Sequence, residues 1–473
     1  MAAVVTACPW GPGIGLINVM GIVMKKMVLV AAALAMTAGS AFAADMAVKA
    51  PPPAPFEPWD FAFGSALMND YIFRGITQSN HKPSVAAYFE PRYNVNKDLQ
   101  LYIGFAGESI SFPNRAAAEI DIYGGIRPTV GIFAFDFGVW GYIYPGGQCF
   151  GSQGTTLEGN CSVFGNSIDF SQGAIGLPIN GNFAKKSASF YEGYAKVNVT
   201  INDQWQVGAN EYYSPNFLNL GAWGNYASLT AKWTAPSTTF GSSGVGMYIS
   251  GEFGRQWLGT SDAFYGTTVG TAFGQGIDFG LGNGLPINGN FAKKSASFYE
   301  GYAKVNITLN DQWQVGFNEY YSPNFLNLGA WGDYASITGK WTAPSTTFGS
   351  SGVGMYISGE FGRQWLGTSD AFYGTTVGTA FGGPFPLGIP EPSYNTWNVG
   401  VGFTYKVFTL DLRYYDTNLS KGNCNAFTSD YSTTNFNPSF VTAINPGGFG
   451  SNWCSATGVV KFSADLTAMT NLK

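Results

Sequence analysis

Long apolar runs are missing beyond the N-terminal region. No stretch there approaches the roughly 20 residues a transmembrane helix needs, which excludes a helical membrane domain. Charge is scarce, at 11% of residues, against about 25% in soluble domains. There is no basic run to meet phosphates and the formal net charge is −5, so nucleic acid is not an expected partner. The chain has one histidine, His81. GxSxG, HExxH and phosphate-loop signatures are absent, as is any Cys/His cluster of zinc spacing. The expectation is therefore no enzyme, no cofactor and no metal. A Ser–His pair built with Ser79 or Ser84 is conceivable, but a solvated loop histidine is the plainer reading.

What the chain does have is aromatic side chains, 16% of residues, and 64 glycines. Its mean hydropathy is close to zero, so apolar residues are dispersed rather than blocked. That leaves a large soluble β-protein or a transmembrane β-barrel. The N-terminus points to export. Met24-Lys25-Lys26 reads as a basic n-region, Met27 to Met36 as an apolar core and Ala41-Phe42-Ala43 as a cleavage box. Residues 1–43 are read as an N-terminal extension plus cleaved signal peptide, with 1–23 an overextended gene start. A Pro-rich periplasmic tether follows at 44–59. Cys8 falls in the discarded segment. The four remaining cysteines form two pairs within single loops, Cys149 with Cys161 and Cys424 with Cys454. An even count after export predicts two disulfides.

From residue 60 to 473 the dominant period is two. In Phe133–Tyr144 the set Phe133, Phe135, Phe137, Val139 opposes Asp136, Gly138, Trp140, Tyr142, which places them on opposite strand faces. The alternation recurs at 119–127, 396–407 and 408–415, and no helical segment is expected in the mature chain. Connections alternate between tight turns, such as Asn202–Gln204 and Lys406–Phe408, and long polar loops, such as 75–83, 146–186, 259–294 and 419–456. Short turns at one end and long loops at the other are the pattern of an outer-membrane barrel. Counting segments gives an all-β, closed antiparallel transmembrane β-barrel of about sixteen strands.

The segment NFAKKSASFYEGYAKVN occurs twice, at 182–198 and 290–306, inside near-identical repeats 176–274 and 284–382. Each repeat is read as four strands. A closed antiparallel sheet accepts an even number of extra strands and becomes wider, whereas a separate four-strand domain would leave open edges. The barrel is thus read as a twelve-strand parent plus a duplicated four-strand block. Recent duplication explains the near-identity, and a cloning or assembly artefact is the other explanation. The copies differ at six positions; five of these, among them Ala209/Phe317 and Leu229/Ile337, have apolar parity.

Strand parity assigns a pore-lining set: Glu90, Arg92, Glu108, Glu119, Asp121, Arg127, Asp136, Glu192, Lys196, Lys232, Glu252, Glu300, Lys304, Lys340, Glu360, Lys406, Asp411, Arg413, Lys461 and Asp465. Its eleven acids and nine bases predict weak cation preference at best. Cross-strand ion pairing is the structural alternative for each of them. Arg255 and Arg363 break parity and are placed above the bilayer. Tyr213, Trp233, Trp257 and Trp397 are candidates for the interface girdles. Loops 146–186 and 259–294 are candidates to fold inward and narrow the mouth.

The segment YIFRGITQSNHKPSV, at 71–85, resembles the opening signature of the TorF-type porin family of proteobacteria, also labelled Gcw_chp. Tyr71, Arg74, Gly75, Gln78, Asn80 and Pro83 fill the signature's places. EIDIYGGIRP, FDFGVWGYIYPG, EYYSPNF and LDLRYYDTNLSKGNCN are similar to further family segments, and the tether and signal look like those of alphaproteobacterial members. The resemblance implies a barrel over about 60–469 in the bacterial outer membrane. It also implies passive diffusion of small polar solutes or ions through a water-filled lumen. Outer-membrane lipid, and the barrel-assembly machinery during insertion, are the expected partners; no oligomeric state follows. The rival reading is a non-conducting structural or surface-interaction barrel, its lumen filled by Trp140, Tyr142, Tyr194 and Tyr248. The second repeat and the TNLK ending, in place of a terminal aromatic, depart from the family pattern.

Overall fold

The computed structural model describes residues 57–111, 116–146, 189–219, 221–259, 297–324, 329–369, 390–428, 430, 437–442 and 448–471. The expected signal peptide and most of the expected tether lie outside them. So do Cys149 and Cys161, and the disulfide expected between these two cysteines falls outside the described residues with them.

The chain is a closed antiparallel transmembrane β-barrel of sixteen strands. In chain order these are β1 (Trp59–Met68), β4 (Ser84–Asn96), β5 (Leu99–Ser109), β6 (Ala118–Val130), β7 (Phe133–Ile143), β8 (Phe190–Thr200), β9 (Trp205–Ser214), β10 (Gly224–Thr234), β11 (Gly246–Leu258), β12 (Phe298–Thr308), β13 (Trp313–Ser322), β14 (Gly332–Thr342), β15 (Val353–Leu366), β16 (Tyr394–Tyr405), β17 (Phe408–Thr417) and β18 (Thr457–Thr467). The short strands β2 (Ile72–Phe73) and β3 (Ile76–Thr77) make a separate ribbon in the first loop. Each barrel strand pairs with its sequence neighbours, and β18 closes the ring on β1, with Ala62 opposite Thr467 and Met68 opposite Lys461.

Period-two patterning explains which face points where. In β1, Trp59, Phe61, Phe63 and Leu67 are exposed while Asp60, Ala62 and Gly64 are buried. Around the ring the exposed face is apolar, reaching 66% exposure at Leu229 and 60% at Ile337. A soluble protein does not present a continuous apolar band of this kind; a barrel in lipid does.

The tight turns have local causes. Asn202 Oδ1 accepts from the backbone N–H groups of Gln204 and Trp205 at 2.9 and 2.8 Å, and Asn310 Oδ1 does the same for Gln312 and Trp313 at 2.8 and 3.1 Å. An Asx side chain that bonds its own backbone two or three residues on closes a turn.

The repeats occupy β8–β11 and β12–β15 with identical registers: Trp205 opposes Trp233 as Trp313 opposes Trp341, and Glu252 opposes Thr230 as Glu360 opposes Thr338. The first copy's β11 pairs directly with the second copy's β12. The ring therefore absorbs the block without a break in the ladder. Four of the five apolar differences between copies fall on the outward face of their strands, and the fifth, Ile201/Leu309, lies exposed one residue past the strand end, in the tight turn.

Candidate functional site: the lumen wall and the loop across it

Nineteen of the twenty parity-assigned residues lie on the inward face of their strands. Lys406 does not. It sits in the two-residue β16–β17 turn, exposed, with φ +52°. The alternation continues through a hairpin in sequence, but the chain has already left the wall there.

The inward charges are sorted along the barrel axis. Glu108, Glu119, Asp121, Glu192 and Glu300 stand within three residues of the long-loop ends of their strands. Lys232 and Lys340 stand two residues from the short-turn ends, and Lys196 and Lys304 four.

On the β4–β8 side the charges neutralise one another. Arg92 Nε donates to Glu90 Oε1 at 2.6 Å, and Arg127 Nη1 donates to the same oxygen at 3.0 Å. Arg127 Nε reaches Asp136 Oδ2 at 3.4 Å, and Arg92 Nη1 reaches Asp60 Oδ2 at 3.4 Å. Tyr123 OH donates to Glu90 Oε2 at 3.0 Å and Tyr102 OH to Asp136 Oδ1 at 2.6 Å. The Arg127 guanidinium lies 3.6 Å from the Tyr102 ring centroid. Here the cross-strand pairing alternative describes the residues better than a solute-facing ring. Asp411 and Arg413 pair in the same way on β17, at 3.0 Å.

The duplicated wall is different. Lys196, Lys232, Lys304 and Lys340 have no carboxylate within ion-pairing distance among the described residues. Each ammonium instead lies near a tyrosine ring: Lys196 by Tyr194 at 4.7 Å, Lys232 by Tyr248 at 4.8 Å, Lys304 by Tyr302 at 4.9 Å and Lys340 by Tyr356 at 4.8 Å. Glu252 and Glu360 accept from Tyr226 and Tyr334 at 3.2 and 3.1 Å. Trp140 turns inward and stacks on Tyr123 with centroids 3.9 Å apart.

The segment across the mouth is the first loop, 69–83. Sequence reasoning identified its signature without assigning it this place. Gln78 O accepts from Ser111 N at 2.9 Å, beside β5. The Arg74 guanidinium lies 5.1 Å from the Tyr320 ring centroid and 3.7 Å from that of Tyr334. These tyrosines are on β13 and β14, and β5 and β13 stand eight places apart in the ring of sixteen. The loop thus reaches opposite walls of the lumen. Ile76, Thr77, Gln78 and Ser79 are almost fully buried in it. Arg74 and Gly75 both take positive φ, +46° and +79°, and a Cβ on Gly75 would collide with the Thr417 and Thr396 side chains. Glycine is the residue that meets both demands. The signal that could have found this is the local sequence Arg-Gly-Ile-Thr: apolar and small residues in a loop that should otherwise be polar.

Asp70 organises the loop's return. Its Oδ1 accepts from Ser79 Oγ at 3.0 Å, and its Oδ2 meets His81 Nδ1 at 2.6 Å. His81 Nε2 faces the Asn452 carbonyl at 2.9 Å. Both ring nitrogens thus meet acceptors, an arrangement that suits the doubly protonated ring. Ser79 and Ser84 direct their hydroxyls elsewhere, to Asp70 and to the Ser109 carbonyl.

The last loop carries an element the sequence reading did not expect, helix α1 (Lys421–Thr428). It is too short to show a helical period. Its N-terminus is held by Ser420, whose Oγ accepts from Asn423 N at 3.2 Å and whose carbonyl accepts from Cys424 N at 2.8 Å. Of the two expected disulfides, the one between Cys424 and Cys454 is formed; the other, between Cys149 and Cys161, is not among the described residues. The Cys424–Cys454 staple places Trp453 where its Nε1–H donates to Asn80 Oδ1 at 2.7 Å and its carbonyl accepts from Thr77 N at 2.9 Å. Four signature positions, Arg74, Gly75, Gln78 and Asn80, are therefore anchors of one inward-folded loop. Loops 146–186 and 259–294, expected to narrow the mouth, fall almost wholly outside the described residues.

No curated protein matches the chain. Among solved structures, it is similar to OprB of Pseudomonas putida, at 10% identity and TM-score 0.44, covering 86% of this chain and 93% of that one. It is also similar to OccD3 (OpdP) of Pseudomonas aeruginosa, at 7% and 0.39, covering 87% and 90%. A third, the outer membrane protein OmpT of Vibrio cholerae, stands at 13% and 0.35, covering 86% and 98%. Residues 53–177, which include the whole first-loop signature, match the model of a family described as a bacterial protein of unknown function (Gcw_chp).

Proposed function

We propose that the chain is an outer-membrane porin of the TorF type, exported by a cleaved signal peptide and inserted by the barrel-assembly machinery. In this reading small polar solutes or ions cross passively through a water-filled lumen. The observation that carries the reading is the contrast between the two faces of one closed sheet. The outside carries an apolar band fit for lipid, and nineteen of the parity-assigned ionisable side chains face inward, some paired in the wall and others, among them four lysines, not. Charges in a protein interior without water would be costly, and four lysines with no carboxylate at ion-pairing distance among the described residues are hardest to account for in a filled, dry barrel.

A second reading, a structural barrel that does not conduct, has one specific observation in its favour: the first loop spans the lumen. Proteoliposome swelling separates the two. Refolded chain, residues 44–473, should admit small sugars and salts at a rate that falls with solute size. Impermeable vesicles holding folded, heat-modifiable protein would favour the filled barrel.

A further inference from the structure

A recess of about 250 Å³ opens in the inner wall beside the second repeat. Lys340 and Glu360 line it, with Thr338, Ser358, Asn398 and Arg413. In the register, Glu360 opposes Thr338 and Lys340 opposes Ser358, so the acid and the base are diagonal neighbours on one face. Such neighbours sit roughly 7–8 Å apart at the backbone. They do not pair with each other: Lys340 lies against the Tyr356 ring, and Glu360 accepts a hydrogen bond from Tyr334 OH through Oε1. Arg413 is already committed, to Asp411 through Nε and Nη2 at 3.0 Å each, to Ser358 Oγ at 2.7 Å and to Asn398 Oδ1 at 2.7 Å. It forms wall, and Lys340 remains the available cation.

We propose that this recess binds an α-amino-acid zwitterion, its carboxylate on Lys340 and its ammonium on Glu360. Two hydrogen bonds of about 2.9 Å each plus the short reach from ammonium to carboxylate in such a molecule bridge the gap between the two side chains. An anion would meet the Glu360 carboxylate, a cation would meet Lys340, and a neutral sugar would leave both charges unanswered. The hydroxyls of Thr338 and Ser358 complete a polar surround.

The first repeat supplies an internal contrast. It has the same residues, Lys232, Glu252, Thr230 and Ser250, in the same register. Its flank is different. Glu252 is opposed by Tyr302 of β12, where Glu360 is opposed by Asn398 of β16. A bulky phenol thus stands beside Glu252 where the smaller carboxamide of Asn398 stands beside Glu360. The flank of the recess is thus set by the junction between the second repeat and β16.

The inference rests on the proposal of a water-filled lumen, and its test is independent of transport. Saturation-transfer NMR on the full mature chain in micelles, with L-alanine as probe, should show binding. Glu360→Gln and Lys340→Gln should each weaken it at least tenfold. Asn398→Tyr should abolish it by placing a phenol beside Glu360, as Tyr302 stands beside Glu252. Glu252→Gln should leave it unchanged. Absence of alanine binding, equal binding by the Glu360 and Lys340 variants, or binding of glucose or lactate as strong as that of alanine would overturn the assignment. Conductance without alanine binding would sink the recess and leave the porin standing; alanine binding without conductance would do the reverse.

Discussion

The Arg74 guanidinium rests 3.7 Å from the centroid of the Tyr334 ring, although Arg74 belongs to the loop after β1 and Tyr334 to β14, five places away around the barrel. An aromatic–guanidinium contact away from bulk water contributes on the order of 2 kcal/mol. Here it pins the tip of the first loop to the far wall. Arg74→Ala should free that tip. Open-channel conductance should rise, with added current noise, while the barrel's melting temperature changes little. Unchanged conductance would mean that the loop does not lie on the permeation path.

Gly75 tests the same device through the backbone. Its φ of +79° and the Thr417 and Thr396 side chains beside it leave no room for a Cβ. Gly75→Ala should cost about 1–2 kcal/mol locally, visible as faster proteolysis within 69–83. Equal protease resistance would contradict the packed geometry.

His81 makes the loop's anchorage depend on pH. The Asp70 hydrogen bond raises its pKa above the ordinary value, opposed by burial and supported by the Asn452 carbonyl and the Asp70 charge. The folded chain therefore keeps the proton past about pH 6.5, where an unfolded histidine releases it. The stabilisation is complete below that pH and is lost as pH climbs through the raised value. Amide exchange at 77–82 should accelerate over that rise in wild type and be independent of pH in His81→Gln once the intrinsic exchange rate is divided out. A wild-type profile equally flat would remove His81 from the latch.

The Cys424–Cys454 disulfide closes a segment of 30 residues. In the chain-entropy account a closure of that length contributes about 3–4 kcal/mol. The double variant Cys424→Ser/Cys454→Ser should leave the barrel ladder intact and loosen the last loop. Because Trp453 and Asn452 hold the first loop, exchange at 77–82 should also speed up. Loss of protection confined to 418–456 would show that the two loops are uncoupled.

Arg127 stands between Glu90 and Asp136. Arg127→Met should lower the melting temperature, at a cost of roughly 1–3 kcal/mol, because it leaves Asp136 without its cation and Glu90 with Arg92 alone. Adding Glu90→Gln and Asp136→Asn should recover most of that loss. A single variant as stable as wild type would show that water in the lumen already screens those acids.

Much of this architecture is legible in the sequence because a barrel wall has one rule. Alternation at 133–143 and the even strand count of the repeat lead to the closed ring, and parity alone puts Glu90, Lys196 and Arg413 inside. What parity cannot carry is anything beyond the wall. Lys406 continues the alternation one step past the strand, into a turn. Helix α1 is eight residues long and depends on a Ser420 cap and a distant cysteine. The first loop's place in the lumen depends on partners far away in sequence, Tyr334, Thr417 and Trp453, which no local period reveals. The pairing of Arg92 and Arg127 with Glu90 also needed coordinates, since parity states that side chains share a face and not whether they touch.

The most direct test of the account is single-channel conductance in a planar bilayer. Wild type would be compared with a variant whose residues 71–79 are replaced by a short Gly-Ser linker. The account predicts discrete openings for wild type and larger ones for the variant, as a water-filled barrel loses its crossing loop. Silence from both proteins, once folded and inserted, would contradict it.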